Sequence, residues 1–88
     1  MMTDAGGRAA LARPTVLRVT AGGEEALLLR IASLVAHYDV RRFVLDTRPD
    51  GSTRVRMELG GTPADPSAGL LERRLGRIVG VTEVVRTG

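Results

Sequence analysis

The sequence LLERRLGRIVGVTEVVRTG, residues 70–88, decides the fold of this chain. Its apolar residues recur at helical spacing, which predicts a helix over Ser67–Val79, and Gly80 stands where a glycine C-cap would end it. The pattern then changes to the alternation of a strand, predicted over Thr82–Arg86 with Val84 facing inward. The helix residues predicted to face the core are Leu71, Leu75, Ile78 and Val79. A helix that leads at once into a final strand carries the chain back across a sheet.

Three more strands and one more helix are predicted upstream. They are strands over Thr15–Ala21, Arg42–Thr47 and Thr53–Leu59, and a helix over Glu24–Ala36. The apolar band of that helix, wide enough for a helix lying on a sheet, consists of Leu27, Leu28, Ile31, Leu34, Val35 and Tyr38. Arg48–Ser52 is predicted to be a hairpin loop, because its Pro, Asp and Gly supply turn geometry. Asp65 or Ser67 is placed to cap the second helix.

The element order β-α-β-β-α-β predicts an α+β fold of the ferredoxin-like type. Two right-handed crossovers place both helices on one face of a four-stranded antiparallel sheet, so the other face is left open. The residues predicted on that open face are Val16, Arg18, Thr20, Val44, Asp46, Arg54, Arg56, Glu58 and Val85.

In this topology the second strand lies at an edge of the sheet, yet Phe43, Val44 and Leu45 make it apolar on both faces. An unpaired apolar edge favours pairing with another strand. We therefore predict that these three residues form a homodimer interface. The alternative is that Val44 is simply an exposed valine that the fold tolerates.

Composition excludes several classes of function. The 88 residues suffice for one domain, predicted over residues 15–88 after a flexible tail at residues 1–14. With no cysteine and one histidine, His37, neither a disulfide framework nor a Cys/His metal site can form, and no cofactor is predicted. No apolar run is long enough to span a membrane and no signal core is present, which predicts a cytoplasmic protein.

Enzymatic and nucleic-acid functions find little support in the sequence. Three serines and one histidine give no recognisable nucleophile–base pair, and the adjacent Glu24 and Glu25 would project in different directions from a helix. The net charge of +3 is modest, and the two central strands carry no aromatic residue on which a base could stack. Arg18, Arg54 and Arg56 could contact phosphate, but a solvated charged face explains them better, so nucleic-acid binding is predicted to be unlikely.

Several short patterns, taken in order, resemble one family. They are Arg30-Ile31, Leu34-Val35, His37-Tyr38-Asp39-Val40, Thr53-Arg54-Val55-Arg56-Met57, the stretch Leu75-Gly76-Arg77-Ile78-Val79-Gly80-Val81, and Glu83-Val84. Over about residues 15 to 86 the chain resembles the ACT domain, a small βαββαβ module that binds amino acids and regulates metabolic enzymes. It is most similar to the ACT domain in the small, regulatory subunit of acetohydroxyacid synthase (acetolactate synthase).

The resemblance implies a non-catalytic regulatory subunit that dimerises and binds the catalytic subunit of a thiamine-diphosphate synthase of branched-chain amino-acid biosynthesis. It also implies an amino-acid effector, held between Gly22, Gly23, Glu24 and Glu25 of one copy and Asp39, Val40 and Arg41 of the other. Asp39 replaces a family asparagine, and an ionised carboxylate would hold an amino group rather than a carboxylate. The alternative is a stand-alone ACT-like sensor or assembly module of another biosynthetic pathway.

Overall fold

The computed structural model describes residues 14–61 and 65–87, so the tail predicted at residues 1–14 lies outside them except for Pro14. The elements follow the predicted order: β1 (Thr15–Gly22), α1 (Glu25–Val35), β2 (Val40–Thr47), β3 (Ser52–Leu59), α2 (Ser67–Gly76) and β4 (Val81–Thr87). The sheet has the order β2-β3-β1-β4 and every neighbouring pair is antiparallel. The predicted ferredoxin-like fold is therefore confirmed, and β2 lies at an edge of the sheet, as does β4.

One face of the sheet carries the core. Inward residues of β1 and β3 stand opposite one another, with Leu17 paired to Met57 and Val19 to Val55, all fully buried. The helix residues buried against them are Leu27, Ile31 and Val35 of α1 and Ala68, Leu71 and Leu75 of α2. Because both helices contribute to this single cluster, they lie on the same face of the sheet.

The second helix is shorter than predicted. It ends at Gly76 with Arg77 as its C-cap, and the next amides bond three residues back, from Arg77 to Arg74 and from Ile78 to Leu75. Val79, predicted to face the core, is 86% exposed. Gly80 is not the helix C-cap: it has φ +103° in the turn closed by the bond from the Val81 amide to the Ile78 carbonyl. Because these hydrogen bonds span three residues instead of four, the last turn is tighter, and Val79 faces away from the sheet.

Two irregularities mark the edge strands. The register slips between Val40 and Arg42, leaving Arg41 as an extra residue in β2, and again between Thr20 and Ala21 opposite the start of β4. The bulge explains why β2 begins two residues before the predicted Arg42. The other strand and helix boundaries, apart from the end of α2, agree with those predicted to within one residue.

No helix of residues 14–61 and 65–87 covers the outer face of the sheet, yet one position on it is nearly buried. Val16, predicted to be exposed there, is only 9% exposed. It lies on the central strand β1 between Glu58 of β3 and Thr87 of β4, so cross-strand neighbours cover its side chain on both sides. In the described part of the chain, no helix is long and apolar enough to cross a membrane.

Candidate functional site

The loop between β1 and α1 is held by backbone contacts. The Gly22 amide donates a hydrogen bond of 3.0 Å to the Gly80 carbonyl, so this amide is already used within the chain. Gly23 packs so closely against the hairpin that a Cβ there would collide with the Gly51 carbonyl oxygen. The glycine pair therefore joins three turns of the protein, and Gly22 has no amide left for a ligand.

The first turn of α1 follows directly. Glu24 is the N-cap residue, with φ −70° and ψ 134°, but its side chain makes no capping hydrogen bond. Its carbonyl accepts the Leu28 amide at 3.0 Å, which starts the helix. The early amides of a helix point outward and favour an anion, whereas the exposed carboxylates of Glu24 and Glu25 oppose a second negative charge.

Thr53 lies beneath this loop and is not among the site residues predicted from the sequence. Its side chain is completely buried, and its Oγ1 has no hydrogen-bond partner within the described residues. A Cβ at Gly23 would lie 3.6 Å from that oxygen. The sequence gives no sign of this orphaned hydroxyl, because a threonine in a strand usually packs through its methyl group.

Arg41 and Asp39, at the start of β2, form a bidentate ion pair. The Arg41 Nε donates to Asp39 Oδ1 at 3.0 Å, and the Arg41 Nη2 donates to Asp39 Oδ2 at 3.3 Å. Both side chains are exposed, and the hydrogen bond to Asp39, aided by charge attraction, raises the pKa of Arg41. Residues two apart in an extended chain lie on the same side, which allows the side chains of residues 39 and 41 to meet.

A cavity of about 190 Å³ opens beside Asp39, between the end of α1 and the start of α2. Its described lining consists of His37, Tyr38, Asp39, Leu59, Gly60, Asp65, Ser67 and Ala68. The Tyr38 hydroxyl accepts a hydrogen bond from Arg74 at 3.1 Å, which ties the end of α1 to α2. Asp65 accepts the Ser67 amide at 2.9 Å, and this bond lowers the pKa of Asp65. Of the two predicted caps, Asp65 is thus the one that engages a helix amide.

The two halves of the predicted effector site lie far apart in one chain. Gly22 is level with Ser52 of β3, whereas Val40 is level with Leu59. Seven residues of strand separate these levels, which is roughly 23 Å at about 3.3 Å per residue. The structure therefore does not bring Gly22–Glu25 and Asp39–Arg41 together within one copy. Among the described residues no cluster of three or more His, Cys, Asp or Glu side chains could hold a metal.

The edge strand β2 presents the three residues predicted for dimerisation. Phe43, Val44 and Leu45 are all exposed, the first and third on the helix side of the sheet and Val44 on the open side. An apolar groove of about 360 Å³ runs beside them. Its lining consists of Ala32, Val35, Ala36, Tyr38, Val40 and Phe43. Leu29 of α1 is also exposed, so the apolar surface extends from β2 onto the helix.

The open face of the sheet holds arginines among acidic side chains. Arg18 and Arg56 stand directly opposite each other on β1 and β3, and Arg56 pairs with Glu58 at 2.8 Å. A shallow depression of about 330 Å³ beside them is lined by Arg18, Thr20, Arg54, Arg56, Glu83 and Val85. The described part of this face contains no aromatic side chain, which leaves stacking of bases without a platform.

An antiparallel β2-β3-β1-β4 sheet with two helices on one face is the fold of ACT domains. Residue for residue, 83% of this chain superposes on 95% of the ACT domain from GTP pyrophosphokinase of Chlorobium tepidum, with a TM-score of 0.71 and 17% identity. The acetolactate synthase small subunit of Thermotoga maritima matches with a TM-score of 0.71 and 16% identity, over 84% of this chain and 47% of that one. An uncharacterized protein from Thermotoga maritima has a TM-score of 0.69 and 21% identity, over 86% and 98% of the two chains.

These likenesses establish the fold alone, because the sequence identities are too low to show more. No protein-family model matches the chain, and no curated protein matches it.

Proposed function

We propose that this protein is a non-catalytic, ACT-type regulatory subunit that forms a homodimer through β2. The observation that carries the proposal is the edge of β2, which no strand of the described residues pairs and which is apolar on both faces and continuous with an apolar groove along α1. Monomers avoid such edges or protect them with charge, so β2 is best explained by a second copy that extends the sheet.

A second copy also resolves the separation of the two half-sites. When two β2 strands pair antiparallel, the start of one lies beside the end of the other. Asp39–Arg41 of the second copy then reach the level of Thr47, where Gly22–Glu25 of the first copy lie. The separation along the strands then disappears, and what remains is three strand spacings across the sheet, about 14 Å. Each dimer would therefore have two equivalent clefts, each made from both copies.

The chemistry of such a cleft suits an amino acid. Asp39 can receive an α-ammonium group and Arg41 an α-carboxylate, if the ligand exchanges partners with the exposed ion pair. The opposite wall is the first turn of α1, whose exposed Glu24 and Glu25 carboxylates add to the attraction for the α-ammonium group. We expect a branched-chain amino acid, because the nearby surface of Val40, Phe43 and Ala36 is apolar.

The proposed partner is the catalytic subunit of an acetohydroxyacid synthase. Support comes from the ordered motifs that run from Arg30 to Val84 and from the structural likeness to an acetolactate synthase small subunit. This chain corresponds to 47% of that subunit. A regulatory subunit of this kind acts by binding its effector with different affinity in two assembly states.

Calorimetry with valine, leucine and isoleucine tests the effector. We expect saturable heat with at least one of them, and at least a tenfold loss of affinity in Arg41→Gln. Arg73→Gln is the matched control, because it removes an exposed arginine of α2 that lies beside β4, at the opposite edge of the sheet from β2. Absence of heat with all three amino acids would contradict the effector site.

A separate assay tests the catalytic partner. The protein is added to a purified acetohydroxyacid synthase catalytic subunit encoded beside its gene, and acetolactate formation is measured with and without the effector. We expect a change in activity on addition and a further change with effector. Effector binding without any change in synthase activity would instead favour the stand-alone sensor of another pathway.

A further inference from the structure

We propose that two copies pair through β2 in one particular register, with Val44 of each copy facing its counterpart on the two-fold axis. The inference rests on the proposed homodimer and specifies its geometry. It comes from the pattern Arg42-Phe43-Val44-Leu45-Asp46, in which opposite charges stand at equal distances on either side of a central valine.

The backbone decides which groups of β2 are available. The Arg48 amide donates to the Ser52 carbonyl of β3 at 2.8 Å, so residue 48 points its backbone groups at β3. Along an antiparallel strand, the backbone N–H and C=O groups of successive residues point alternately toward one neighbouring strand and toward the other side. Arg42, Val44 and Asp46 therefore bond β3, while Phe43 and Leu45 direct their amides and carbonyls toward the free edge.

The proposed register uses these free groups fully. With Val44 on the axis, Phe43 of one copy stands opposite Leu45 of the other as a hydrogen-bonded pair, and both lie on the helix side. Val44 meets Val44 as a non-hydrogen-bonded pair, with Cα atoms about 4.5 Å apart. On the open side, Arg42 of each copy stands opposite Asp46 of the other.

Neighbouring registers fit worse. Centring on Phe43 places Val44 opposite Arg42 and Leu45 opposite Arg41, whereas centring on Leu45 places Val44 opposite Asp46. Each sets charged residues against apolar ones and leaves Arg42 without an acidic partner across the interface. These two registers slide one strand by two residues relative to the other. Sliding it by one residue would instead place helix-side residues opposite open-side residues, which a continuous sheet does not allow.

The same register continues the charge pattern already present inside each copy. Asp46 stands opposite Arg54 and Arg42 opposite Glu58 within the chain. Across the dimer the row therefore reads Arg54, Asp46, then Arg42 and Glu58 of the second copy, with alternating sign. Opposite charges directly across strands are stabilising and like charges are not, so the row favours a second copy of this chain over an unrelated strand.

Cysteine cross-linking tests the register, because the chain contains no cysteine of its own. Under mild oxidation we expect Val44→Cys to become mostly covalent dimer, since a non-hydrogen-bonded pair meets the distance that a disulfide needs. Val85→Cys is the matched control: Val44 and Val85 are 42% and 43% exposed and lie on the open face, but on opposite edges. Phe43→Cys and Leu45→Cys test the neighbouring registers.

The outcomes separate the register from the dimer. A wild-type dimer whose Val44→Cys variant stays uncross-linked, or in which Phe43→Cys or Leu45→Cys links instead, overturns the register and leaves the proposed dimer standing. A wild type that sediments as a monomer at tens of micromolar overturns both. Cross-linking of Val44→Cys with Val85→Cys unlinked supports the register.

A charge exchange provides the second test. Arg42→Asp alone and Asp46→Arg alone should each raise the dimer dissociation constant by about tenfold or more, and the double variant should recover most of the loss. Within each chain of the double variant, position 42 still lies opposite Glu58 and position 46 opposite Arg54, each with a like charge. Recovery can therefore come only from the second copy, and a double variant as weak as the sum of the single ones would refute the Arg42–Asp46 pairing.

Discussion

Replacing Gly80 with alanine tests the turn that the sequence pattern misassigned. Gly80 joins the end of α2 to β4 with φ +103°, a backbone conformation that side chains disfavour. A Cβ there would also lie 2.6 Å from Leu27 Cδ2 and 3.3 Å from Leu27 Cδ1. Carbon atoms in contact prefer about 3.5–4.0 Å, so the substitution combines backbone strain with a steric overlap.

The size of the effect follows from these two contributions. A residue with a side chain pays about 1–2 kcal/mol for a left-handed backbone, and overfilling a packed site costs about 1–3 kcal/mol. Leu27 is buried in the core and cannot rotate away freely. We therefore expect Gly80→Ala to reduce the free energy of unfolding by about 2–5 kcal/mol, which lowers Tm by roughly 10–30 °C in a domain of this size.

Urea unfolding followed by circular dichroism measures this change, and the chain supplies its own control. Gly76 is the last residue of α2 and has open space around its Cβ position, so Gly76→Ala should be neutral or stabilise by about 0.5 kcal/mol. In a Leu27→Ala background the overlap is gone, and Gly80→Ala should cost only about 1–2 kcal/mol. A Gly80→Ala variant within 1 kcal/mol of wild type would refute the reasoning.

Three further expectations address the core and the cap. Thr53→Val removes the unpartnered buried hydroxyl and should raise the free energy of unfolding by about 1 kcal/mol; destabilisation would mean that the hydroxyl has a partner. Val79→Ser should change stability by less than about 0.5 kcal/mol, whereas Leu75→Ala should cost about 2–5 kcal/mol. Because Asp65 has a lowered pKa when it accepts the Ser67 amide, its contribution is complete above its unfolded pKa and is lost as pH falls below about 4. Thermal unfolding between pH 6 and pH 3 should therefore be less acid-sensitive in Asp65→Ala, and an identical acid dependence would contradict this cause.

The fold was predictable because its signals are local and agree with one another. Alternation in β1 and β3, the apolar band on α1 and the glycines between elements all favour the same topology, and long-range pairing then follows from connection rules. The end of α2 was not predictable on the same grounds. Ile78 and Val79 continue the helical spacing, but hydrogen bonds of three-residue span end the helix first, and spacing alone does not distinguish these alternatives.

The loops that carry the predicted site residues could be placed from the sequence, but their contacts could not. The sequence indicates which loops carry Gly22–Glu25 and Asp39–Arg41, because each follows a recognisable element. Nothing in it shows that the Gly22 amide is already bonded to Gly80, that Arg41 is paired with Asp39, or that β2 contains a bulge. Such contacts depend on which turns meet in space, and single-residue irregularities in a strand have no compositional signature.

The separation of the half-sites has a thermodynamic consequence for the proposed regulation. If each cleft needs both copies, effector binds the dimer and not the monomer, so binding and dimerisation must strengthen each other. With two equivalent clefts, effector at ten times its dissociation constant should tighten the dimer by roughly 100-fold, since each site contributes a factor of about 11. Sedimentation velocity across a dilution series, with and without valine, measures this shift. An effector that binds with no change in the dimer dissociation constant would place the whole site within one copy, and the roughly 23 Å between Gly22 and Val40 argues against that arrangement.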